Sequence, residues 1–477
     1  MLSTTLALIL VAIGIFSAGH ALLFKRDSRS ALGWFVVCLI LPGLGALGYW
    51  FLGVNRIRSK ARRWRARGRM HFFEWVSEDV GEEVPLPQHL RRENFFALRS
   101  LSDAVTRRPL VPGNKLTLLH NGEDAYPAML AAIEGAEQSV YLSSYIFADD
   151  RSGQAFCAAL QRAAKRGVDV RVLVDALGEK YFWPPIHRRL TRLGIRHARF
   201  LPFSLASWGF FINLRNHRKL LIVDNRLGFT GGMNISDRHL LADPSIPHRV
   251  VDLHFQILGP VVGQMQEAFF EDWYFATGEA PQQPLTSPPP LADGETFCRG
   301  ISAGPNEDFE PLTWIIVGVL NSARKRVCIM TPYFIPDRAL TTALCAAALR
   351  GVQVEIILPQ QNNLSFVHWA AQDYLAELVE HKVRIFYQPP PFVHSKMLIM
   401  DHHYALIGSA NIDPRSLRLN FEFNLELFDQ AGACSALLQY FDATRAVSVP
   451  VTAAKIKAMP LWVRLRNGFA KIFSPYL

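Results

Sequence analysis

The chain has 477 residues, 50% of them hydrophobic and 19% charged, with a mean hydropathy of +0.11. That length suits two or three domains, and the apolar content excludes a disordered chain. The formal net charge of +10 suggests nucleic acid as a partner, but its distribution along the chain points elsewhere.

Residues 1–70 hold eleven cations against a single acid, Asp27, and the last 24 residues hold five cations and no acid. Residues 71–453 therefore sum to about −5. A slightly acidic body with basic ends is a poor match to a polyanion cleft, so no nucleic-acid partner is expected.

In chain order, the first predicted elements are apolar. Leu6 to Phe24 gives 19 residues without a formal charge, and Ala31 to Val54 gives 24. Each is close to or above the roughly 20 residues that cross a bilayer as a helix. A cleaved signal peptide is the other reading of the first run, but a second run follows within six residues, so two membrane helices are expected over residues 1–70. Pro42, Gly43, Gly45 and Gly48 leave a kinked or re-entrant second segment open. Three cations lie in the connector and eight between Arg56 and Arg69, which places the long C-terminal part in the cytoplasm, with the Arg-rich stretch on anionic headgroups.

The expected order continues with a connector at 71–115, a first α/β repeat at 116–280, a Pro-rich linker at 281–296, a second repeat at 297–453 and an amphipathic basic segment at 454–477. The linker contains Pro281, Pro284, Pro288, Pro289 and Pro290. The halves on either side of it resemble each other. Ser139-Val140-Tyr141-Leu142, then Tyr145-Ile146-Phe147, then Ala164 to Leu173 match Arg326-Val327-Cys328-Ile329, Tyr333-Phe334-Ile335 and Ala348 to Ile357. Each set reads strand, helix, glycine stop, strand, which predicts an α/β layer; paired copies are expected about a pseudo-twofold axis. At the C-terminus Leu461, Leu465, Phe469, Ile472 and Phe473 recur at helical spacing beside Trp462, Arg464, Arg466 and Lys471. Packing against a core and lying on a membrane are almost equally good readings, and basic charge without acid favours the membrane surface.

Six cysteines (Cys38, Cys157, Cys298, Cys328, Cys345, Cys434) show no paired spacing, which argues against a disulfide framework or zinc site and fits a reducing compartment. No metal or other cofactor is expected.

The most specific signal is a motif present twice. His217-Arg218-Lys219 leads to Asp224 and Asn234, and His394-Ser395-Lys396 leads to Asp401, Ser409 and Asn411, with the His-to-Lys, Lys-to-Asp and His-to-Asn intervals identical. A lone His-x-Lys occurs by chance on many strands, but two copies with three matching intervals do not. Two lysines can neutralise the oxygens of a phosphodiester, with Asn234, Ser409 and Asn411 expected to bind the substrate phosphate. One imidazole can attack phosphorus while the other protonates the departing alkoxide and then deprotonates a second alcohol. Each imidazole needs a carboxylate to set its tautomer: Glu422 lies 28 residues after His394, and Asp252 lies 35 after His217. The loop near Leu241 to Pro247 absorbs the difference.

At these residues the sequence resembles the phospholipase D superfamily and, more narrowly, the bacterial cardiolipin synthases. The resemblance rests on the twin His-x-Lys and Asp motifs, Arg29 to Trp34, Pro42 to Gly45, Asn216 to Leu221, Gly228 to Asn234 and Arg415 to Glu422. It implies an enzyme of the inner membrane that passes a phosphatidyl group from one phosphatidylglycerol to another through a phosphatidyl-histidine. It also implies His217 as nucleophile, His394 as acid and base, and Asp224 and Asp401 in mainly supporting roles. The segment Leu240 to His248 departs from the family pattern. A hydrolase with water as acceptor is the enzymatic alternative and a nuclease the remoter one. A membrane-tethered scaffold is the non-enzymatic one, opposed by two intact motif sets.

Overall fold

The computed structural model describes residues 2–25, 28–53, 93–202, 214–281, 284–304, 310–429 and 432–474. The Arg-rich stretch from Arg56 to Arg69 lies outside them. The chain divides into two compact units, of which the first contains the N-terminal apolar segment.

In that unit helix α1 (Leu2–Phe24) has 23 residues, roughly 34 Å at 1.5 Å per residue, enough to cross a bilayer. The second apolar run behaves differently. Helix α2 (Ser28–Ile40) has 13 residues and stops before Pro42 and Gly43, where φ is +93°. Proline cannot continue the α-helical ladder, so the run restarts as a short turn of helix at Leu44 and a π-helical turn at Tyr49–Gly53. A single long second helix is thus replaced by a broken one. It packs on α1 through Ala18, Ala21, Cys38 and Tyr49, with His20 Nδ1 2.6 Å from the Tyr49 hydroxyl.

The second unit is built on one 15-stranded sheet. Its first group of strands comprises β1 (Val111–His120), β2 (Ser139–Ser144), β3 (Asp169–Asp175), β4 (His197–Phe200), β5 (Leu220–Val223), β6 (Leu227–Gly231) and β8 (Leu253–Leu258), with a short β7 (Val250–Val251) outside the sheet. The second group comprises β9 (Thr296–Ala303), β10 (Arg326–Met330), β11 (Gln353–Pro359), β12 (Arg384–Gln388), β14 (Met397–Met400), β15 (Tyr404–Gly408), β16 (Glu422–Phe428) and β17 (Val449–Val451), with β13 (Phe392–Val393) outside. Outward from its centre, one side runs β1-β8-β6-β5-β2-β3-β4 and the other β9-β16-β15-β14-β10-β11-β12-β17. The antiparallel β1–β9 pair joins the two sides.

The strand, helix, strand units expected from the sequence are present. Helix α3 (Arg151–Lys165) follows β2 and helix α4 (Arg338–Leu349) follows β10. Asp150 caps the first by accepting from the Gly153 amide, and Asp337 caps the second by accepting from Leu340, both at 3.0 Å. Each helix is stopped by a glycine in the left-handed region, Gly167 at φ +91° and Gly351 at φ +93°. Their apolar faces cover the sheet in two cores, one around Phe156, Leu160, Val172 and Phe229, the other around Ile315, Val319, Ile356 and Leu398. Each such side chain contributes roughly 1.5–3 kcal/mol on burial.

The connector expected at 71–115 is folded into this body from Glu93 onward: Phe95 and Leu98 enter the second core, and β1 begins at Val111. Between Gly278 and Glu295 the described residues form neither helix nor strand, as the prolines imply. All six cysteines are free and buried.

At the C-terminal end, helix α6 (Leu461–Ile472) lies on helix α5 (Ser365–Glu380). Asn467 donates to Gln372 at 2.9 Å, Lys471 pairs with Asp373 at 2.8 Å, and the Arg466 guanidinium sits 4.4 Å from the Trp369 ring centroid. The periodic apolar residues are not the docked face: Leu461, Leu465, Phe469 and Ile472 are 59–70% exposed.

Candidate active site

The two His-x-Lys tripeptides lie in extended segments immediately before β5 and β14, and each imidazole is buried. Backbone pairing carries each of them toward an acid from the opposite side of the sheet. The His217 amide donates to the Phe421 carbonyl at 2.8 Å, one residue before Glu422; the His394 amide donates to the Val251 carbonyl at 2.8 Å, one residue before Asp252. Parallel pairing of β7 with β13 fixes the second register, and the Asn216–Phe421 bridge fixes the first.

The consequence is an exchange of carboxylates. His217 Nδ1 meets Glu422 Oε2 at 3.0 Å, and His394 Nδ1 meets Asp252 Oδ2 at 2.8 Å. Counting along the sequence assigns each acid to the histidine before it, whereas the fold pairs each with the other. With Nδ1–H donated to a carboxylate, the Nε2 lone pair is left to react. Lys396 Nζ also comes within 2.9 Å of His394 Nδ1, but that nitrogen cannot both donate and accept; the ammonium bonds the His394 carbonyl, leaving Nδ1–H to Asp252. Lys219 Nζ likewise donates to its own histidine's carbonyl, at 2.7 Å.

Electrostatics set the two dyads apart. Burial, reinforced by Lys219, holds His217 well below the usual imidazole range, and burial with Lys396 brings His394 down to about 4. Both are neutral at pH 7 in the free site. Burial also lowers Lys219 to about 7 and Lys396 to about 8. Glu422 is pushed up to about 7 by burial, which Lys219 only partly offsets. Asp252 is equally buried, but His394 and Lys396 outweigh that burial and hold it below the usual carboxylate range.

The position after the glycine of each hairpin differs as well, and Ser409 works against the rise at Glu422. Ser409 Oγ donates to Glu422 Oε2 at 2.5 Å. Its counterpart is Gly232, where a Cβ would stand 2.2 Å from Asp252 Oδ1. One acid is held by a hydroxyl and the other has its space guaranteed by a missing side chain. Ser409, expected at the substrate phosphate, therefore serves Glu422.

Asp224 and Asp401, grouped by the motif with the catalytic set, stand outside it. Each opens the turn at the far end of its strand and caps another strand: Asp224 accepts from the amides of Glu137, Gln138 and Ser139, and Asp401 from those of Arg324, Lys325 and Arg326. A carboxylate filled by three backbone donors is a structural anchor. Of the expected phosphate ligands, Asn234 lines a cavity with His394, its Oδ1 taken by the Ile146 amide at 3.1 Å. Asn411 donates to Ser416 Oγ at 3.2 Å and has its Oδ1 unpartnered among the described residues.

Three further residues join the site. Tyr145 stands edge to face on His217 at 5.1 Å between ring centroids, with Lys219 Nζ 5.6 Å from its ring, and Tyr333 stands similarly against His394 at 6.5 Å. Their signal was in the sequence, since both belong to the matched Tyr-Ile-Phe and Tyr-Phe-Ile triplets. Buried His239, which accepts from the Asn234 amide at 3.3 Å, had none. Among the described residues no cluster of three or more His, Cys, Asp or Glu side chains is placed to hold a metal.

Comparison with known proteins relates this sequence to a group. The signature described as cardiolipin synthase, PLD-like domain, matches residues 129–273 and again 316–445. Cardiolipin synthase A of Pseudomonas putida is 34% identical, covering 98% of this chain and 96% of its own length. The Pseudomonas aeruginosa protein of the same name is also 34% identical, over 100% of this chain and 97% of its own. Among solved structures, phosphatidylserine synthase of Haemophilus influenzae aligns with 81% of this chain and 100% of its own at a TM-score of 0.62; at 16% identity it speaks for the fold alone.

Proposed function

This chain belongs to the cardiolipin synthase family of phospholipase D-like enzymes, and from that premise we propose that it transfers a phosphatidyl group from one phosphatidylglycerol to the terminal hydroxyl of another, giving cardiolipin and glycerol. The observation that carries the proposal is the pair of buried neutral imidazoles, each oriented by a carboxylate from across the sheet.

His217 Nε2 attacks phosphorus, a P–N bond forms, and the P–O bond to glycerol breaks. His394 donates the proton that the glycerol alkoxide needs. In the free site His394 holds no proton at pH 7, but an anionic phosphodiester beside it favours the charged imidazole and raises its pKa. The second phosphatidylglycerol then gives its hydroxyl proton to His394 as its oxygen displaces His217. Lys219, Lys396 and the Asn234 and Asn411 amides offset charge on the phosphate oxygens. The assignment of nucleophile and acid follows the family resemblance. The matched strand order, caps and glycine stops support a duplicated unit with a pseudo-twofold axis, and such a unit supplies one imidazole to each side of phosphorus.

The enzyme works at a membrane. Helix α1 spans it, and the eight cations in the sequence between Arg56 and Arg69 favour the cytoplasm for the long C-terminal part. The exposed apolar face of α6 rests on the membrane surface. Phosphatidylglycerol vesicles and purified protein should yield cardiolipin and glycerol without nucleotide. Phosphatidic acid as the sole product would overturn transfer in favour of hydrolysis.

A further inference from the structure

Beside His394 lies a cavity of about 850 Å³, walled by Asn234, Arg238 and Arg249 on one side and by Asn363, Phe392 and His394 on the other. Its size suits a phospholipid headgroup. Two arginines line it and no aspartate or glutamate does.

Neither guanidinium meets a carboxylate among the described residues. Arg238 lies over the Phe182 ring, 5.0 Å from its centroid, and Arg249 Nη1 donates to the Leu241 carbonyl at 2.8 Å. Neighbouring arginines are paired: Arg151 with Asp237 and Asp243, Arg189 with Asp149. Two cations without an ion-pair partner among the described residues, in a cavity that no acid lines, are an electrostatic match to an anion.

We propose that Arg238 and Arg249 clamp the phosphate of the acceptor lipid, an anionic phosphodiester whose headgroup carries a free hydroxyl. Resting on the transfer reading above, the clamp adds the acceptor's place. Holding that phosphate beside His394 presents the headgroup hydroxyl to Nε2. The proton passes to His394, the oxygen bonds to phosphorus, and the P–N bond to His217 breaks. A lipid alcohol is thereby favoured over water by proximity and charge.

The test uses the full chain in phosphatidylglycerol vesicles with ethanol added as a neutral acceptor. Arg238→Ala and Arg249→Ala should each lower cardiolipin formation about 10- to 100-fold. Phosphatidylethanol formation, which needs the donor site and both histidines but no acceptor phosphate, should stay near wild type and so report a folded enzyme. The Arg→Lys variants should recover part of the cardiolipin rate. Equal loss of both products, or unaltered cardiolipin, overturns the clamp. Soluble glycerol phosphate displacing the lipid as acceptor overturns its assignment to a lipid. A wild-type enzyme making neither product sinks the transfer reading itself.

Discussion

His394 and Asp252 are 142 residues apart in the chain and 2.8 Å apart in space, and Asp252 precedes in sequence the imidazole that it orients. The reciprocal bond, from His217 to Glu422, spans 205 residues. Each acid should therefore act on the histidine of the opposite side. Asp252→Asn and Glu422→Gln should each reduce kcat by about 10²- to 10⁴-fold, since an amide no longer selects the Nδ1–H tautomer. Nitrogen-15 chemical shifts of the ring nitrogens provide the check: Asp252→Asn should perturb His394 and leave His217 in place, and the opposite pattern would restore the sequential pairing.

A donor with a good leaving group, such as a nitrophenyl phosphodiester, removes the need for an acid in the first half-reaction. With it, His394→Ala should accumulate a covalent phosphatidyl adduct on His217, visible by peptide mass spectrometry. An adduct on His394 in the His217→Ala variant would reverse the two roles.

Gly232→Ala places a methyl group 2.2 Å from Asp252 Oδ1. The carboxylate must move by about 1 Å to reach an ordinary contact, and a misplacement of that size should cost about 10²-fold in kcat. Thermal unfolding should show a loss of about 1–3 kcal/mol. Ser409→Ala removes a hydrogen bond without a clash, so its effect on activity should be smaller.

The pH dependence has a definite sign. His394, at about 4 when folded against an ordinary 6.5, excludes a proton that the unfolded chain binds. Stability therefore rises with pH between those two values and is lost as pH falls toward 4. Activity should fall on the alkaline side, where Lys219 at about 7 and Lys396 at about 8 give up the charges proposed to meet the phosphate. The kcat/KM profile of the free enzyme and a urea series at pH 4 to 8 measure the two effects separately.

Much of this was legible in the sequence because it was local. The stops Gly167 and Gly351 and the repeated His-x-Lys spacing are set within a few residues of the elements they specify. What could not be read depends on distant register. The exchange of Asp252 and Glu422 arises from β7 pairing with β13 and from the bridge at Phe421, neither of which leaves a spacing signature. The role of Ser409 likewise follows from where Glu422 arrives. The outward face of α6 was open between two readings because periodicity reports an apolar stripe and not what covers it.

That stripe gives a further expectation. Leu465→Glu with Phe469→Glu should leave activity in detergent micelles unchanged, because both side chains are exposed, at 65% and 59%. On vesicles the same variant should bind and turn over more weakly, since two apolar side chains are lost from the face proposed to insert. Equal activity on vesicles would remove α6 from the membrane contact.

The exchange of carboxylates also orders events at the ribosome. A nascent chain that has emerged as far as the prolines near position 290 already contains His217, Lys219 and Asp252, but His217 has no acid and Asp252 no imidazole until residues 394 to 422 have followed. The chain thus passes through a stage of synthesis in which neither imidazole has its carboxylate. Reactivity arrives only with the last strands, when the whole sheet has closed.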